Sequence, residues 1–345
     1  MAEQQADRFV TTLTGPIQNI PVYRAEAFCV SDGAHLGDGI SHMDDMVPDD
    51  VYNLEPGATR QRLALRTSSD GTFHIAEGTE LGTTGAALHL DCAMSLMRHD
   101  GTTTEALVLV EVDQEGDIAA IYLLPLAPLQ PKTDYTLVGM DRNSARGKFA
   151  QVACVSFTRG THITLGSGAQ VQIEDLQVGD KVLTRDDGVQ AVRWIGQSTV
   201  RAHGDFAPIV IRAGALNNAG DLVVSPDHRL FVYQRSDQIG AGQSELLIKA
   251  RHLVNGGSVF VQEGGFVEYF QILFDSHHII YAEGIAAESM LIDPRTRPAL
   301  PPELLEKLGA ILSGHSTRDV HGLDVQKALL DRPDAIDLLR RASLR

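Results

Sequence analysis

The sequence predicts an all-β chain: an N-terminal β-sandwich or barrel, then a second compact β domain, then a short helical tail. Short runs of β-branched residues alternate with turn residues through most of the chain, which is typical of strands. Only near the C-terminus do apolar residues recur at the spacing of one helix face. The length of 345 residues also favours more than one domain, because a single hydrophobic core rarely serves a chain of this size.

The composition argues against several functional classes. The chain carries 29 Lys and Arg against 45 Asp and Glu, a net charge of −16, which disfavours binding to nucleic acid or to an anionic membrane. No apolar run approaches the roughly 20 residues of a spanning helix. The three cysteines are widely spaced, which favours a reducing compartment over a disulfide framework or a zinc cluster. We expect no cofactor, no metal, and either a cytoplasmic location or secretion without a signal peptide.

The N-terminal part divides into a flexible lead-in, residues 1–20, and a β-rich domain of unknown role, residues 21–155. The pattern is strand-like throughout the second of these ranges. The runs Leu107–Val112 and Asp117–Tyr122 are joined by four residues that include Asp113 and Gly116, which predicts a hairpin.

The C-terminal part divides into a second β domain, residues 156–293, and a helical tail, residues 294–345. Strands in the second domain are short and evenly punctuated, as in Val189–Ile195, which follows an Asp-Asp-Gly turn. Apolar spacing in the tail predicts one helix over Leu304–Leu312 and another over Val325–Leu339.

Three segments of the second domain carry the chemistry, and they occur in a specific order. The first begins with Ser156-Phe-Thr-Arg-Gly-Thr and continues to Glu-Asp-Leu-Gln-Val-Gly-Asp-Lys-Val-Leu-Thr; the second is Ser225-Pro-Asp-His228; the third is His-His278-Ile-Ile-Tyr-Ala-Glu-Gly284. Together they resemble the bacterial form of the Hint domain, which hedgehog autoprocessing domains and inteins share. The resemblance implies a flat, horseshoe-shaped β domain that attacks its own N-terminal junction.

The resemblance also implies a role for each polar residue. Ser156 stands at the position of the nucleophile, so the scissile bond is Val155–Ser156. Its hydroxyl attacks the preceding carbonyl and converts an amide to an ester, which requires a distorted peptide or a reaction that traps the ester. His228 is expected to contact and protonate the scissile nitrogen, and Ser225 to fix the geometry or bind the oxyanion. His278 is a candidate second acid/base or orienting residue; its neighbour His277 has less support.

Departures from the family pattern limit the predicted reaction. Glu288-Ser289-Met290 stands where inteins have His-Asn followed by Cys, Ser or Thr, so we expect N-terminal cleavage without splicing. The substrate is then the chain's own N-terminal segment, and the acyl acceptor is water, a small nucleophile or a protein amine. Hedgehog-type domains use an Asp as base, for which Asp205 and Asp221 are both candidates. Cys154 lies two residues too early to be the nucleophile.

Three other interpretations compete with self-processing at this point. A degenerate Hint domain could serve as a structural or interaction module, with Ser156 a strand-start residue and Ser225-Pro-Asp-His228 a Ser-Pro turn. An ordinary serine hydrolase is disfavoured by the lack of a G-x-S-x-G motif. A metalloenzyme is disfavoured by the lack of H-E-x-x-H and of paired cysteines. If active, the domain is autoproteolytic and turns over once.

Overall fold

A computed structural model describes most of the chain and divides it into two compact units, residues 1–149 and 150–345. The described residues are 17–68, 72–235, 237, 239–292, 296–297, 300, 325, 329–330 and 334–343. Most of the expected lead-in, and the helix predicted over Leu304–Leu312, lie outside the described residues. Each unit is described separately below.

The first unit is built on nine strands among its described residues. They are β1 (Gln18–Arg24), β2 (Phe28–Asp32), β3 (Val51–Leu54), β4 (Gln61–Thr67), β5 (Phe73–Ile75), β6 (Ala87–Arg98), β7 (Thr103–Val112), β8 (Ile118–Pro125) and β9 (Tyr135–Asp141). Strand β1 begins inside the range expected as lead-in. The predicted hairpin is present as β7 and β8.

Six strands of this unit form a closed barrel. The pairing runs β6-β5-β4-β1-β8-β7, and β7 pairs back to β6, while β9, β3 and β2 extend from β6. Strand β6 pairs with β5, β7 and β9. It can do so because it is long and because a register shift between Leu90 and Cys92 bends it. Inward side chains such as Leu96, Val108 and Leu123 are fully buried. Of the two predicted alternatives, sandwich or barrel, the barrel is therefore the one that forms.

A helix replaces strand at the end of the first predicted domain. Helix α1 covers Arg142–Ala153, where the sequence predicts strand-like structure. It starts because the Asp141 carboxylate accepts the main-chain N–H of Asn143 at 2.8 Å, an N-terminal cap. Within the first unit, the ring of Phe149 packs edge-on against Phe73, with centroids 5.3 Å apart.

The second unit has fourteen strands among its described residues. They are β10 (Phe157–Thr158), β11 (His162–Thr164), β12 (Gln170–Gln172), β13 (Lys181–Leu183), β14 (Val189–Ala191), β15 (Trp194–Arg201), β16 (Ile209–Ile211), β17 (Leu222–Val224), β18 (Arg229–Tyr233), β19 (Glu245–Lys249), β20 (Val259–Val261), β21 (Phe266–Leu273), β22 (Ile279–Ala282) and β23 (Ile285–Glu288). One sheet has the order β15-β21-β10-β17-β16-β20, another β12-β11-β22-β23-β18-β19, and β13 pairs with β14. The prediction of short, evenly punctuated strands is confirmed.

The tail contributes one described helix, α2 (Ala335–Ser343). Its residues Ala335, Ile336 and Leu339 are buried in the core of the second unit, so the helix adds an apolar face to the β domain. The predicted helical tail is thus present in its last part. Within the described residues, neither helix is long and apolar enough to cross a membrane. Among those same residues, all three cysteines are free thiols.

Candidate functional site

Strand β10 lies between β17 and β21, and its register sets the surroundings of the residue before it. Phe157 pairs with Val224 of β17 on one side and with Phe270 of β21 on the other, both antiparallel. One residue back along β10 corresponds to one residue forward along each neighbour. Ser156 is therefore flanked by Ser225, which follows β17, and by a residue of β21.

Ser225 clamps the main chain on both sides of Val155. The Ser156 N–H donates to Ser225 Oγ at 3.0 Å, and the Ser225 hydroxyl donates to the carbonyl oxygen of Cys154 at 3.2 Å. The Ser225 N–H also donates to the carbonyl oxygen of Ser156 at 2.9 Å. Both serines are buried, so the junction before β10 is held by three hydrogen bonds away from bulk water.

His228 closes the turn that follows β17 and faces the same junction. The main-chain N–H of His228 donates to the carbonyl oxygen of Ser225 at 3.0 Å, and the ring Nδ1 lies 3.1 Å from the carbonyl oxygen of Ser156. Because that oxygen can only accept, Nδ1 carries the proton. The resemblance implies a histidine at the scissile nitrogen, whereas the structure places the Ser225 hydroxyl there and His228 at the next carbonyl.

Burial keeps the His228 imidazole neutral at physiological pH. The side chain is fully buried and its ring packs edge-on against Phe157 at 4.4 Å. Burial lowers the pKa of His228 to about 4, against the opposing influence of the Glu288 charge. A neutral ring with its proton on Nδ1 can donate a hydrogen bond without adding a positive charge to the site.

Gln271 is the site residue that sequence reasoning missed. It lies on β21, and its Nε2 donates to the Ser156 Oγ at 2.7 Å. Across the β15–β21 pair it faces Gly196, where a Cβ would lie 2.5 Å from the Gln271 Oε1. A glutamine inside a strand carries no motif, so only the strand register could have pointed to it.

A small polar pocket opens beside Ser156, and one of the two aspartate candidates lines it. Its lining includes Gln271, Ser225 and Asp205, and its free space is that of about one water molecule. The Asp205 carboxylate is held there by Arg251 at 3.2 Å. Asp221 lies elsewhere, in a turn where its Oδ1 accepts the N–H of Ala213 at 2.7 Å. Of the two, Asp205 is the one that lines the pocket beside Ser156.

His278 belongs to a different set of contacts. Its Nδ1 lies 3.0 Å from Asp187 Oδ2, and its main-chain N–H donates to Ser289 Oγ at 3.0 Å. Its ring packs edge-on against Phe274. In the described residues it neither contacts Ser156 nor lines the pocket beside it, so the structure does not bring it to the other predicted site residues.

A buried ion-pair group lies in the segment that the resemblance places at the intein C-terminal junction. Glu288 is fully buried and lies 2.8 Å from Arg229 Nε and 3.2 Å from His277 Nε2. Burial acts to raise the pKa of Glu288, but the Arg229 charge and the His277 hydrogen bond outweigh it and lower the pKa to about 2. Ser289 and Met290 are also buried. Residues 288–290 are therefore part of the buried interior of the domain.

The backbone at the junction has neither a cis peptide bond nor a positive φ. Every peptide bond between described residues is trans, and neither Val155 nor Ser156 has a positive φ. An amide-to-ester shift requires either a distorted scissile peptide or a reaction that traps the ester. These backbone observations give no support to distortion. The described residues also hold no group of three or more His, Cys, Asp or Glu side chains that could bind a metal.

Comparisons with known proteins identify the second domain. Residues 155–294 match the family model of the Hint domain, so the chain contains a Hint domain and the resemblance inferred from the sequence is confirmed. A solved structure, a variant of the Ssp DnaB mini-intein, is similar over 40% of this chain and 97% of its own, with 10% identity and a TM-score of 0.27. No curated protein matches the chain.

Proposed function

We propose that the Hint domain cleaves its own chain once, at the Val155–Ser156 bond, without splicing. The observation that carries the proposal is the pair of hydrogen bonds through which the Ser225 hydroxyl holds the Ser156 N–H and the Cys154 carbonyl. That hydroxyl therefore touches the nitrogen that leaves in the reaction. The contacts are made in the domain interior, where hydrogen bonds to a developing charge are stronger than in water.

The first step is an N–O acyl shift. The Ser156 Oγ attacks the carbonyl carbon of Val155, and the C–N bond between the two residues breaks. The hydroxyl proton ends on the nitrogen, which becomes the free α-amine of Ser156, while an ester now joins the Val155 carbonyl to Oγ. Because amide resonance is lost, this step runs uphill.

A second step consumes the ester and makes the reaction proceed. Water or a small amine attacks the Val155 carbonyl, the bond to Oγ breaks, and Oγ recovers a proton. The pocket beside Ser156 has room for about one water molecule and is lined by Asp205, which can accept the proton of the attacking group. Trapping of the ester, rather than backbone distortion, is therefore the driving element of the proposal.

A second candidate function is a structural or interaction module without chemistry. It is favoured by Glu288, whose burial against Arg229 and His277 stands in place of the residues that release the downstream chain in inteins. That observation argues against C-terminal cleavage, whereas it leaves the N-terminal junction untouched. Self-cleavage at Val155–Ser156 therefore remains the better supported function.

The test uses the purified full chain on a denaturing gel, with and without hydroxylamine, which attacks esters faster than amides. We expect two fragments, residues 1–155 and 156–345, that form faster with hydroxylamine and are absent in Ser156→Ala. The control is Ser167→Ala. Because Ser167 lies exposed in a turn of the same domain, this variant should cleave at the normal rate. A chain that stays intact in hydroxylamine across pH 6 to 9 supports the module instead.

A further inference from the structure

The geometry points to Gln271 as a catalytic residue that stabilises the Ser156 oxygen when it leaves the ester. This inference rests on the proposed self-cleavage and extends it to a residue that neither the motifs nor the comparisons indicate. Its basis is the hydrogen bond from Gln271 Nε2 to Ser156 Oγ, 2.7 Å long. The amide group thus contacts a reacting atom directly.

The chemistry explains why a hydrogen-bond donor is useful at this atom. A serine alkoxide is a poor leaving group, and breakdown of the ester places negative charge on Oγ. A preorganised donor such as an amide N–H stabilises that charge, and loss of one such donor in other enzymes costs about 10²–10³-fold in rate. Gln271 cannot supply the proton itself, because an amide is not an acid in the physiological range. Its part is to lower the energy of the oxygen until water provides the proton.

The surrounding strands are arranged to permit this contact. Gln271 and Ser156 are neighbours by the register of β21 and β10, and Gly196 faces Gln271 from β15. A side chain at that glycine would meet the Gln271 amide oxygen and the Trp194 ring. The absence of a side chain at position 196 therefore leaves the space in which the Gln271 amide points at Oγ.

The test compares Gln271→Met in two backgrounds, Ser156 and Ser156→Cys, measuring fragment formation in hydroxylamine. A thiolate is a far better leaving group than an alkoxide, and sulfur accepts hydrogen bonds weakly, so it needs no donor. We expect Gln271→Met to slow cleavage about 100-fold with serine but less than about threefold with cysteine. Gln197→Met is the matched control, since Gln197 lies exposed on the neighbouring strand, and should not slow either form. Circular dichroism checks that each variant is folded.

A second variant, Gln271→Glu, keeps the assignment testable if the methionine variant does not fold. A carboxylate cannot donate to Oγ, whereas a protonated carboxyl group can, so its cleavage rate relative to wild type should rise as the pH falls from 7 to 5. A relative rate that falls over this range overturns the assignment, as does equal slowing by Gln271→Met in both backgrounds. If both Gln271 variants cleave at the normal rate, this inference alone is overturned. If neither the wild-type chain nor the Ser156→Cys chain is cleaved, the proposed function is overturned together with the inference.

Discussion

The hydroxyl of Ser225 lies 3.0 Å from the main-chain nitrogen of Ser156, and it accepts that group's N–H while donating its own proton to Cys154. The histidine three residues later contacts the Ser156 carbonyl instead of the nitrogen. The two polar groups of the S-x-x-H turn therefore act on different atoms of the same residue. In the proposed reaction this hydroxyl is the group at the leaving nitrogen, so we expect Ser225 to have a larger role than the resemblance alone assigns to it.

A substitution that removes the Ser225 hydroxyl should slow cleavage more than a substitution that keeps a hydroxyl at this position. We expect Ser225→Ala to reduce the rate of fragment formation about 100-fold, because the leaving nitrogen loses its only side-chain contact in the described site. Ser225→Thr keeps the hydroxyl and should cleave within about threefold of wild type. Equal rates for the alanine and threonine variants, measured by densitometry of a hydroxylamine time course, would remove Ser225 from the mechanism.

Stability of the second unit should fall with acid because His228 is buried in its neutral form. Burial lowers the folded pKa of His228 to about 4 from 6.5, so the unfolded chain binds more protons between these values. The corresponding stability is fully present above pH 6.5, is lost as the pH falls toward 4, and amounts to roughly 3 kcal/mol. Urea unfolding followed through Trp194, the single tryptophan, should therefore give a free energy of unfolding that declines over this window.

The histidine responsible can be identified by its effect on the slope. His228→Gln should flatten the dependence of unfolding free energy on pH between 6.5 and 4, whatever its absolute stability. His203→Gln provides the control, because the His203 side chain is 43% exposed. An unchanged slope in the His228 variant would show that another group titrates in this range.

Part of the site could be predicted from the sequence because motif residues keep their order and spacing. Ser156, Ser225 and His228 are brought together as expected, because Ser156 directly precedes β10, Ser225 directly follows β17, and these two strands pair in one register. Gln271 could not be predicted, because its position depends on which residue of β21 faces β10. The choice between Asp205 and Asp221 needed three-dimensional placement for the same reason.

The fold shows the same division between local and non-local information. Alternating apolar residues predicted the strands and the hairpin of β7 and β8, since both depend on local pattern. Closure of the barrel depends on the pairing of β6 with β7 and on a long strand that bends, which the pattern does not reveal. The sequence pattern predicts strand where helix α1 forms, because the capping residue Asp141 is also typical of a turn that follows a strand.

The buried charges around Glu288 should be costly to break. Glu288→Gln removes the carboxylate partner of the largely buried Arg229, so we expect a loss of about 3–5 kcal/mol in unfolding free energy. Asp275→Asn is the control, because its pair with Arg193 is nearly half exposed, and exposed pairs contribute about 1 kcal/mol or less. Urea titration of both variants at pH 7 measures the difference. Similar losses in the two variants would contradict the structural role given to Glu288.

The space at Gly196 should matter for cleavage more than for folding. A Cβ at this position would lie 2.1 Å from the Trp194 ring and 2.5 Å from the Gln271 Oε1, so Gly196→Ala should displace both side chains and turn the Gln271 amide away from Ser156. We expect cleavage to slow about tenfold or more while the far-UV circular dichroism spectrum is retained. Gly147→Ala, where nothing lies within 4 Å of the added Cβ, is the control and should cleave at the normal rate. Unchanged cleavage in Gly196→Ala would show that the glycine has no such part.

The most direct measurement is the intact mass of the full chain after incubation with hydroxylamine, together with the N-terminal sequence of the C-terminal product. The account predicts a product that begins at Ser156 and a partner that ends at Val155 as a hydroxamate, each absent when the serine is replaced by alanine. A single species with the mass of the unbroken chain, from protein shown to be folded, would contradict it.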